Sequence, residues 1–126
     1  MFSRDEVHDL PVELGTAFFR PENGKAKLDV VAHVDVKRLS LVKVGERNTG
    51  KLILVSGLFD RDGKFVAGLE KIVDMHIKDE TLATGLTSGI LIKASFDVDP
   101  GAYFVRLVAR DNEGRIASLN GSVEIP

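Results

Sequence analysis

Apolar and polar residues alternate along much of this chain with a period of two, which is the spacing of a β-strand that buries one face. In residues 25–36 the apolar side chains share one face and the polar side chains share the other, and only Val31 breaks the alternation. Residues 102–110 alternate in the same way, with Tyr103 on the apolar face and Arg106 on the polar one. Both runs are therefore predicted to be half-buried strands.

Short turn signals separate such runs. Each contains an Asx residue or a proline followed by a glycine that can adopt positive φ, a combination typical of tight turns between antiparallel strands. These signals lie at residues 21–24, 60–63, 99–101 and 111–114. The pattern predicts strands at residues 11–19, 25–36, 39–44, 51–60, 64–76, 89–97, 102–110 and 115–125.

Helical character is confined to residues 79–86, where Asp79 or Thr81 could cap a turn that Gly85 closes. At most one short helical turn is predicted there. Because no long helix is available to cross between parallel strands, the chain is predicted to be all-β, an antiparallel sandwich of seven or eight strands. The length predicts a single domain over residues 1–126, with residues 1–9 as a flexible lead.

The composition excludes several classes of function. The 126 residues include no cysteine, which removes disulfides, thiolate zinc sites and a cysteine nucleophile. Lys and Arg number 17 against 19 Asp and Glu, so the basic footprint of a nucleic-acid binder is missing. No apolar run approaches the length of about 20 residues that spanning a bilayer requires. Neither nucleic-acid binding nor membrane insertion is expected.

Catalytic signatures are also missing from the sequence. Ser56 and Ser88 lack the Gly-x-Ser-x-Gly elbow that presents a nucleophilic serine. The three histidines, His8, His33 and His76, have no spacing that would preorganise a metal site. The chain is therefore predicted not to be an enzyme and to need no cofactor.

Four aspartates are the candidate metal ligands. Asp60 and Asp62 begin a segment that resembles a calcium loop, but the third oxygen ligand and the closing glutamate are not in place. Asp97 and Asp99 could join a calcium site at one end of the sandwich. A turn is the favoured interpretation, and a calcium-binding or carbohydrate-binding module that uses these end loops is kept as the alternative function.

An interface is predicted on the first long strand. Phe18 and Phe19 are adjacent, so strand alternation places them on opposite faces. If Phe18 enters the core, Phe19 is either exposed or covered by a partner. Phe19 is therefore the interface candidate, and a cytoplasmic homodimer that pairs through an exposed edge strand is a second alternative.

The run Pro100, Gly101, Tyr103, Val105, Leu107 and Ala109 resembles the penultimate strand of fibronectin type III and related immunoglobulin-like domains. In those sandwiches a corner tyrosine returns its hydroxyl to nearby backbone, which allows the ring to be buried with its polar atom paired. The resemblance implies a fibronectin III-like, immunoglobulin-like sandwich in which Tyr103 is a structural tyrosine corner. It departs from the antibody type, because the cysteine pair and the core tryptophan are missing.

Most of the chain also resembles the C-terminal module of bacterial secreted proteins that carry a von Willebrand factor A-related domain. The segments that carry this likeness are residues 10–35, 39–44, 57–75 and 100–126. The Asp-x-Ser-x-Ser metal motif of the A-type domain itself is absent. The resemblance implies a non-catalytic module for structural or protein-interaction roles that works with a protein partner or a neighbouring domain. It also implies an extracellular or periplasmic location, with a cytoplasmic one as the alternative.

Overall fold

Two antiparallel sheets form the fold of this chain, for which a computed structural model describes residues 6–20, 24–85 and 89–126. Within these residues the strands are β1 (Val7–His8), β2 (Val12–Phe19), β3 (Ala26–Val34), β4 (Val42–Val44), β5 (Arg47–Asp60), β6 (Phe65–Lys78), β7 (Ile90–Val98), β8 (Gly101–Asp111) and β9 (Ile116–Ile125). Two short helical turns, Val36–Arg38 and Thr81–Gly85, complete the described structure. No helix in these ranges is long and apolar enough to cross a membrane.

The large sheet has six strands. Five of them have the order β1-β9-β8-β5-β6, and the sixth, β4, pairs with β5 on the same side as β8. β8 and β4 share one edge of β5, because β8 pairs with its later residues and β4 with its first three. The small sheet has the order β2-β3-β7. The predicted fold class, an antiparallel immunoglobulin-like sandwich, is confirmed, although the described residues form nine strands where seven or eight were predicted.

The core lies where the small sheet covers the centre of the large one. Leu28 and Val30 of β3 face inward, and so do Leu58 of β5 and Val105 of β8, each almost completely buried. The same inward phase continues along each strand, as the period-two pattern requires. Consequently the opposite phase of each strand in the large sheet forms an outer face that no part of the described chain covers with a third layer.

Two hairpin turns of the large sheet share one design. Asp60 and Asp111 each end a strand, and the amide of the glycine three residues later bonds back to the aspartate carbonyl. The Oδ1 of Asp60 accepts the amides of Asp62 and Lys64 at 2.9 and 3.0 Å. The Oδ1 of Asp111 accepts two amides in the same way. These aspartates therefore hold turns together.

Several boundaries differ from the prediction. Val7–His8 pairs with β9, so the predicted flexible lead of residues 1–9 is too long; residues 1–5 lie outside the described chain. β5 begins at Arg47, because the turn lies at Gly45, whose φ is 62°. The predicted helical turn at residues 79–86 is a five-residue turn at Thr81–Gly85, and residue 86 is not described.

Tyr103 is buried near the start of β8. Its hydroxyl donates a hydrogen bond to the carbonyl oxygen of Asp99, four residues earlier, at 2.5 Å. Burial raises the pKa of the Tyr103 hydroxyl, and the negative charges of Asp99 and Asp60 raise it further. The hydroxyl therefore stays protonated as a donor that closes the turn between β7 and β8.

Removing this hydroxyl is expected to destabilise the fold. Tyr103→Phe leaves the ring in place and takes the donor away from the Asp99 carbonyl, which costs about 1 kcal/mol of unfolding free energy. Urea denaturation monitored by circular dichroism measures the change. Phe104→Tyr, which adds a hydroxyl to an exposed ring on the same strand, is the control and should be close to neutral. Equal stability of Tyr103→Phe and the wild-type chain would contradict the structural role.

Candidate functional site on the outer face of the large sheet

The outer face of the large sheet carries a group of apolar side chains on neighbouring strands. The pairing register arranges them in rows across β6, β5, β8 and β9. The members that are markedly exposed are Val55, Phe65, Ile72, Phe104 and Ile116. Together with Ile53, Phe59 and Val108, which lie between them in the register, these five residues define the outer apolar face.

Three phenylalanines form one end of the outer apolar face. Phe59 lies opposite Phe65 on one side and opposite Phe104 on the other. The rings of Phe59 and Phe65 meet edge to face, with centroids 5.9 Å apart and an interplanar angle of 72°. Phe65 is 65% exposed and Phe104 is 42% exposed, so the end of this row is open to solvent.

Two glycines allow these rings to lie down along the sheet. A Cβ added at Gly57 would come within 3.2 Å of the Phe59 ring, and one added at Gly68 would come within 3.0 Å of the Phe65 ring. Both distances are tighter than ordinary van der Waals contact. Gly57 and Gly68 lie opposite each other in the register, and the Phe59 and Phe65 rings pack against their backbone.

The other end of the outer apolar face is aliphatic. Ile53 of β5 lies opposite Ile72 of β6 and opposite Arg110 of β8, which in turn lies opposite Ile116. Val55 and Val108 pair in the row between the aromatic and the aliphatic ends. Apolar side chains therefore occupy three rows of the outer face, with Glu70 beside Val55 and Arg110 between Ile53 and Ile116.

Polar groups rim the aromatic end. Arg106 donates to Asn120 Oδ1 at 3.0 Å on the row next to the phenylalanines. A shallow groove of about 580 Å³ runs between the turn at residues 61–63 and the side chains of Phe104, Asn120 and Ser122. An apolar centre with a polar border is the usual composition of a binding surface.

The outer face of the small sheet has a different character. The carboxylate of Asp29 accepts a hydrogen bond from the Ser95 hydroxyl at 2.7 Å and lies 3.9 Å from the Lys93 amino group. Leu91 is 70% exposed, but its register neighbours are His33 and, two residues along β7, Lys93. The two outer surfaces of the sandwich therefore differ, and the large sheet carries the apolar one.

The four candidate calcium ligands are placed by separate elements. Asp60 is engaged by the amides of its own turn, and Asp62 lies beside the groove. Asp97 lies opposite Lys27 in the small sheet, and the Asp99 carboxylate lies 3.8 Å from the Lys25 amino group. Within residues 6–20, 24–85 and 89–126, no three His, Asp or Glu side chains are grouped so that they could hold a metal ion.

Phe19, the predicted interface residue, ends β2 on the outer face of the small sheet. Its ring is 54% exposed, and the amino group of Lys27 lies 5.8 Å from the ring centroid. Phe18 points the other way but is still 39% exposed, because β2 is an edge strand. An interface at Phe19 stays a prediction.

The outer apolar face itself was not predicted from the sequence. Its signal is present in residues 52–59, where apolar side chains occupy both phases of the alternation. A strand that is apolar on both phases must either be covered on both faces or expose one of them. Phe104 and Val108 likewise occupy the outward phase of β8.

Comparison with known proteins supports the fold and leaves the family open. No family model and no curated protein matches the chain, so the likeness to von Willebrand factor A-related proteins stays a prediction. The chain is similar to a β-glucuronidase from Bacteroides uniformis, with a TM-score of 0.53 and 14% identity over 89% of this chain and 13% of that one. It is also similar to a glycosyl hydrolase family 2 member from Bacteroides cellulosilyticus, with a TM-score of 0.57 and 19% identity over 89% of this chain and 14% of that one.

These matches concern one small β-domain of each enzyme. The chain spans less than one sixth of the length of either glycosidase. At this level of identity the likeness is one of fold, the small β-sandwich already described.

Proposed function

We propose that this chain is a non-catalytic β-sandwich module that binds another protein, or a neighbouring domain, through the outer apolar face of its large sheet. The observation that carries the proposal is the grouping of exposed apolar side chains on that face, where those of β6, β5 and β8 meet in register in the row of Phe65, Phe59 and Phe104. Apolar side chains scattered singly on a surface are ordinary, whereas a contiguous group with a polar rim is typical of an interaction site.

The chemistry of the face favours a protein partner. Its exposed rings are phenylalanines, and the chain has no tryptophan and only one tyrosine, which is buried. Glycan platforms most often use tryptophan or tyrosine, whereas burial of aromatic and aliphatic side chains stabilises protein complexes. The partner surface would therefore be apolar at its centre, with hydrogen-bonding groups opposite Arg106 and Asn120.

The shifted pKa values in the chain support a structural role for its ionisable groups. Hydrogen bonds from Lys43 and Asn48 lower the pKa of Asp79 and join the end of β6 to the β4–β5 hairpin. The shifts of Tyr103 and Asp111 likewise accompany hydrogen bonds that hold turns. Catalytic sites often bring several groups with shifted pKa values together in one cleft. Asp79, Tyr103 and Asp111 instead form hydrogen bonds at three different places in the fold.

The solved structures of similar fold support an accessory role for this chain. In the Bacteroides glycosidases, a β-sandwich similar to this chain accounts for 13 or 14% of the enzyme. The proposal therefore includes a larger protein with which the module works, and the likeness to secreted bacterial modules favours an extracellular or periplasmic setting for that protein.

Site-specific photo-crosslinking tests the proposal. Benzoylphenylalanine is placed at Phe65 or at Phe104 in cells that make the native protein, and the products are identified by mass spectrometry. We expect both positions to capture the same protein or domain, because they lie on one face. Leu91, which is 70% exposed on the small sheet, is the control and should not capture it. Identical capture from Leu91, or different products from Phe65 and Phe104, would argue against the outer apolar face.

A second candidate function is favoured by the groove beside Phe104. An exposed ring next to the side chains of Arg61, Asn120 and Ser122 could stack on a sugar and bond its hydroxyls. Because the neighbours in fold include β-glucuronidases, glucuronic acid is the probe. Amide shifts at Asn120 and Ser122 that saturate during an NMR titration would support this candidate, and unshifted amides would remove it.

A further inference from the structure

The longest free edge of the described structure belongs to β6. This strand has 14 residues and pairs with β5 alone, whereas the edge strands β1 and β4 have two and three residues. A free edge presents unpaired amide and carbonyl groups that can accept another strand, and natural proteins usually keep such edges short. A long free edge is therefore a candidate for strand addition.

An inward-pointing charge is a common protection of such edges, and Lys71 occupies that position in the middle of β6. Its amino group, however, donates to the backbone carbonyl of Lys93 on β7, the facing edge of the small sheet. The charge is thus held between the two sheets of its own molecule. Although the Lys71 side chain stays exposed, this bond directs its charge toward β7 and away from the edge of β6.

Symmetry limits how β6 could pair with the same strand of a second copy. A two-fold axis perpendicular to the sheet keeps each side chain on its own face, so one residue lies opposite itself at the axis and its neighbours pair in order. The registers that pair at least 11 of the 14 residues of β6 place the axis at one of positions 70–73. Like charges opposite each other disfavour a register.

Three of these four registers bring like charges together. An axis at Glu70 or Lys71 places two identical charges opposite each other. An axis at Ile72 places Glu70 opposite Asp74 twice. Only an axis at Val73 avoids such pairs.

The Val73 register also makes favourable pairs. It places Glu70 opposite His76, and Leu69 opposite Ile77. The carboxylate and the imidazole can share a hydrogen bond, and the two aliphatic side chains pack as a cross-strand pair. Because each pair occurs twice, the register is distinguished from its alternatives by two sets of contacts.

We propose that this chain forms a homodimer in which the β6 strands of two copies pair antiparallel about a two-fold axis at Val73. The two six-stranded sheets then become one continuous sheet. Since the axis is perpendicular to the sheet, the outer apolar faces of both copies lie on the same side. The dimer does not depend on the function of that face, and it leaves both copies of it accessible.

Cysteine cross-linking reads the register directly, because the natural chain contains no cysteine. Directly opposed residues have Cα atoms about 4.5–5.5 Å apart, within reach of a disulfide. Val73→Cys is therefore expected to give a covalent dimer under mild oxidation. Glu70→Cys is the control: its two copies would lie six residues apart along the strand, about 20 Å, and should not cross-link.

Charge substitution at Ile72 provides a test without oxidation. Ile72 is 54% exposed, so the fold should tolerate a polar residue, which circular dichroism verifies. In the Val73 register residue 72 lies opposite Asp74 of the second copy. Ile72→Asp should weaken the dimer by about tenfold or more through like-charge opposition, and Ile72→Lys should retain it. Sedimentation equilibrium measures both dissociation constants.

Each outcome decides the proposal. A wild-type dimer at tens of micromolar, cross-linked through Val73→Cys and weakened by Ile72→Asp, supports it. A monomer at that concentration, cross-linking at Glu70→Cys, or equal dissociation constants for the two Ile72 variants overturns it. None of these results bears on capture at Phe65 and Phe104, so failure of the dimer is distinguishable from failure of the proposed function.

Discussion

Leu58→Ala is expected to lower the free energy of unfolding by about 3 kcal/mol. Leu58 is completely buried and belongs to the cluster that joins β3 to β5 and β8, with Leu28, Tyr103 and Val105 among its members. The truncation removes the transfer energy of the side chain and leaves a cavity that two packed sheets cannot fully close, which costs 2–5 kcal/mol in comparable cores. Equilibrium unfolding in urea measures the loss.

A matched control separates burial from residue type. Leu91→Ala makes the same chemical change at a side chain that is 70% exposed, and it should alter stability by less than about 0.5 kcal/mol. Equal losses at Leu58 and Leu91 would mean that the small sheet does not cover β5 as described.

Asp111→Ala is expected to cost about 2–3 kcal/mol, a large effect for a turn residue. The Asp111 carboxylate accepts the amides of Glu113 and Arg115 at 3.0 and 2.8 Å and the Nε of Arg115 at 2.8 Å. Its side chain is only 7% exposed, and the Nη2 of Arg115 is buried with no hydrogen-bond partner among the described residues. Removing the carboxylate leaves several buried donors unpaired.

The stability lost in Asp111→Ala should depend on pH. Burial raises the pKa of Asp111, but the hydrogen bonds and charge of Arg115 and the amide of Glu113 outweigh it, so the pKa is lowered overall. A carboxyl with a lowered folded-state pKa stabilises the fold above its unfolded value, near 3.9, and loses that contribution as the pH falls through the folded pKa.

Urea unfolding of the wild type and Asp111→Ala from pH 7 down to about pH 2 checks this dependence. The difference between them should be constant above about pH 5 and shrink below pH 4. Asp111→Asn keeps an acceptor oxygen for the amides and should lose less stability at pH 7. A difference that grows toward acid pH would contradict the assigned role.

The fold class could be predicted from the sequence because the alternation of apolar and polar residues within a strand shows which of its side chains are buried. The alternation in β3 and β8 is local, and the Asp-x-x-Gly turns at residues 60–63 and 111–114 are specified by their own side chains. These features need no knowledge of the partner strand. They were therefore readable before the structure.

Other elements could not be read in this way, because tertiary contacts define them. Val7–His8 is too short to show a period and is a strand only through its pairing with β9. Asn48 and Thr49 resemble a loop, yet their side chains bond to the Ile77 and Val42 carbonyls and extend β5. Local composition could not supply these partners.

The outer apolar face could not be predicted from the sequence for the same reason. Its residues come from β5, β6, β8 and β9, and the order of these strands in the sheet decides that they meet. Phe19, which stands out in the sequence, lies on the other sheet beside Lys27. Register and strand order thus place Phe65, Phe59 and Phe104 in one row, although Phe104 comes 45 positions after Phe59 in the chain.

A partner bound in the native cell is expected to cover the outer apolar face of the large sheet. Carbene footprinting of the chain in lysate of its native cells, compared with the purified chain, measures this coverage without knowledge of the partner. Labelling at Phe65, Ile72 and Phe104 should fall in the lysate, while labelling at Leu91 should be unchanged. Unchanged labelling at all four positions, or protection of Leu91 alone, would rule out a partner on that face.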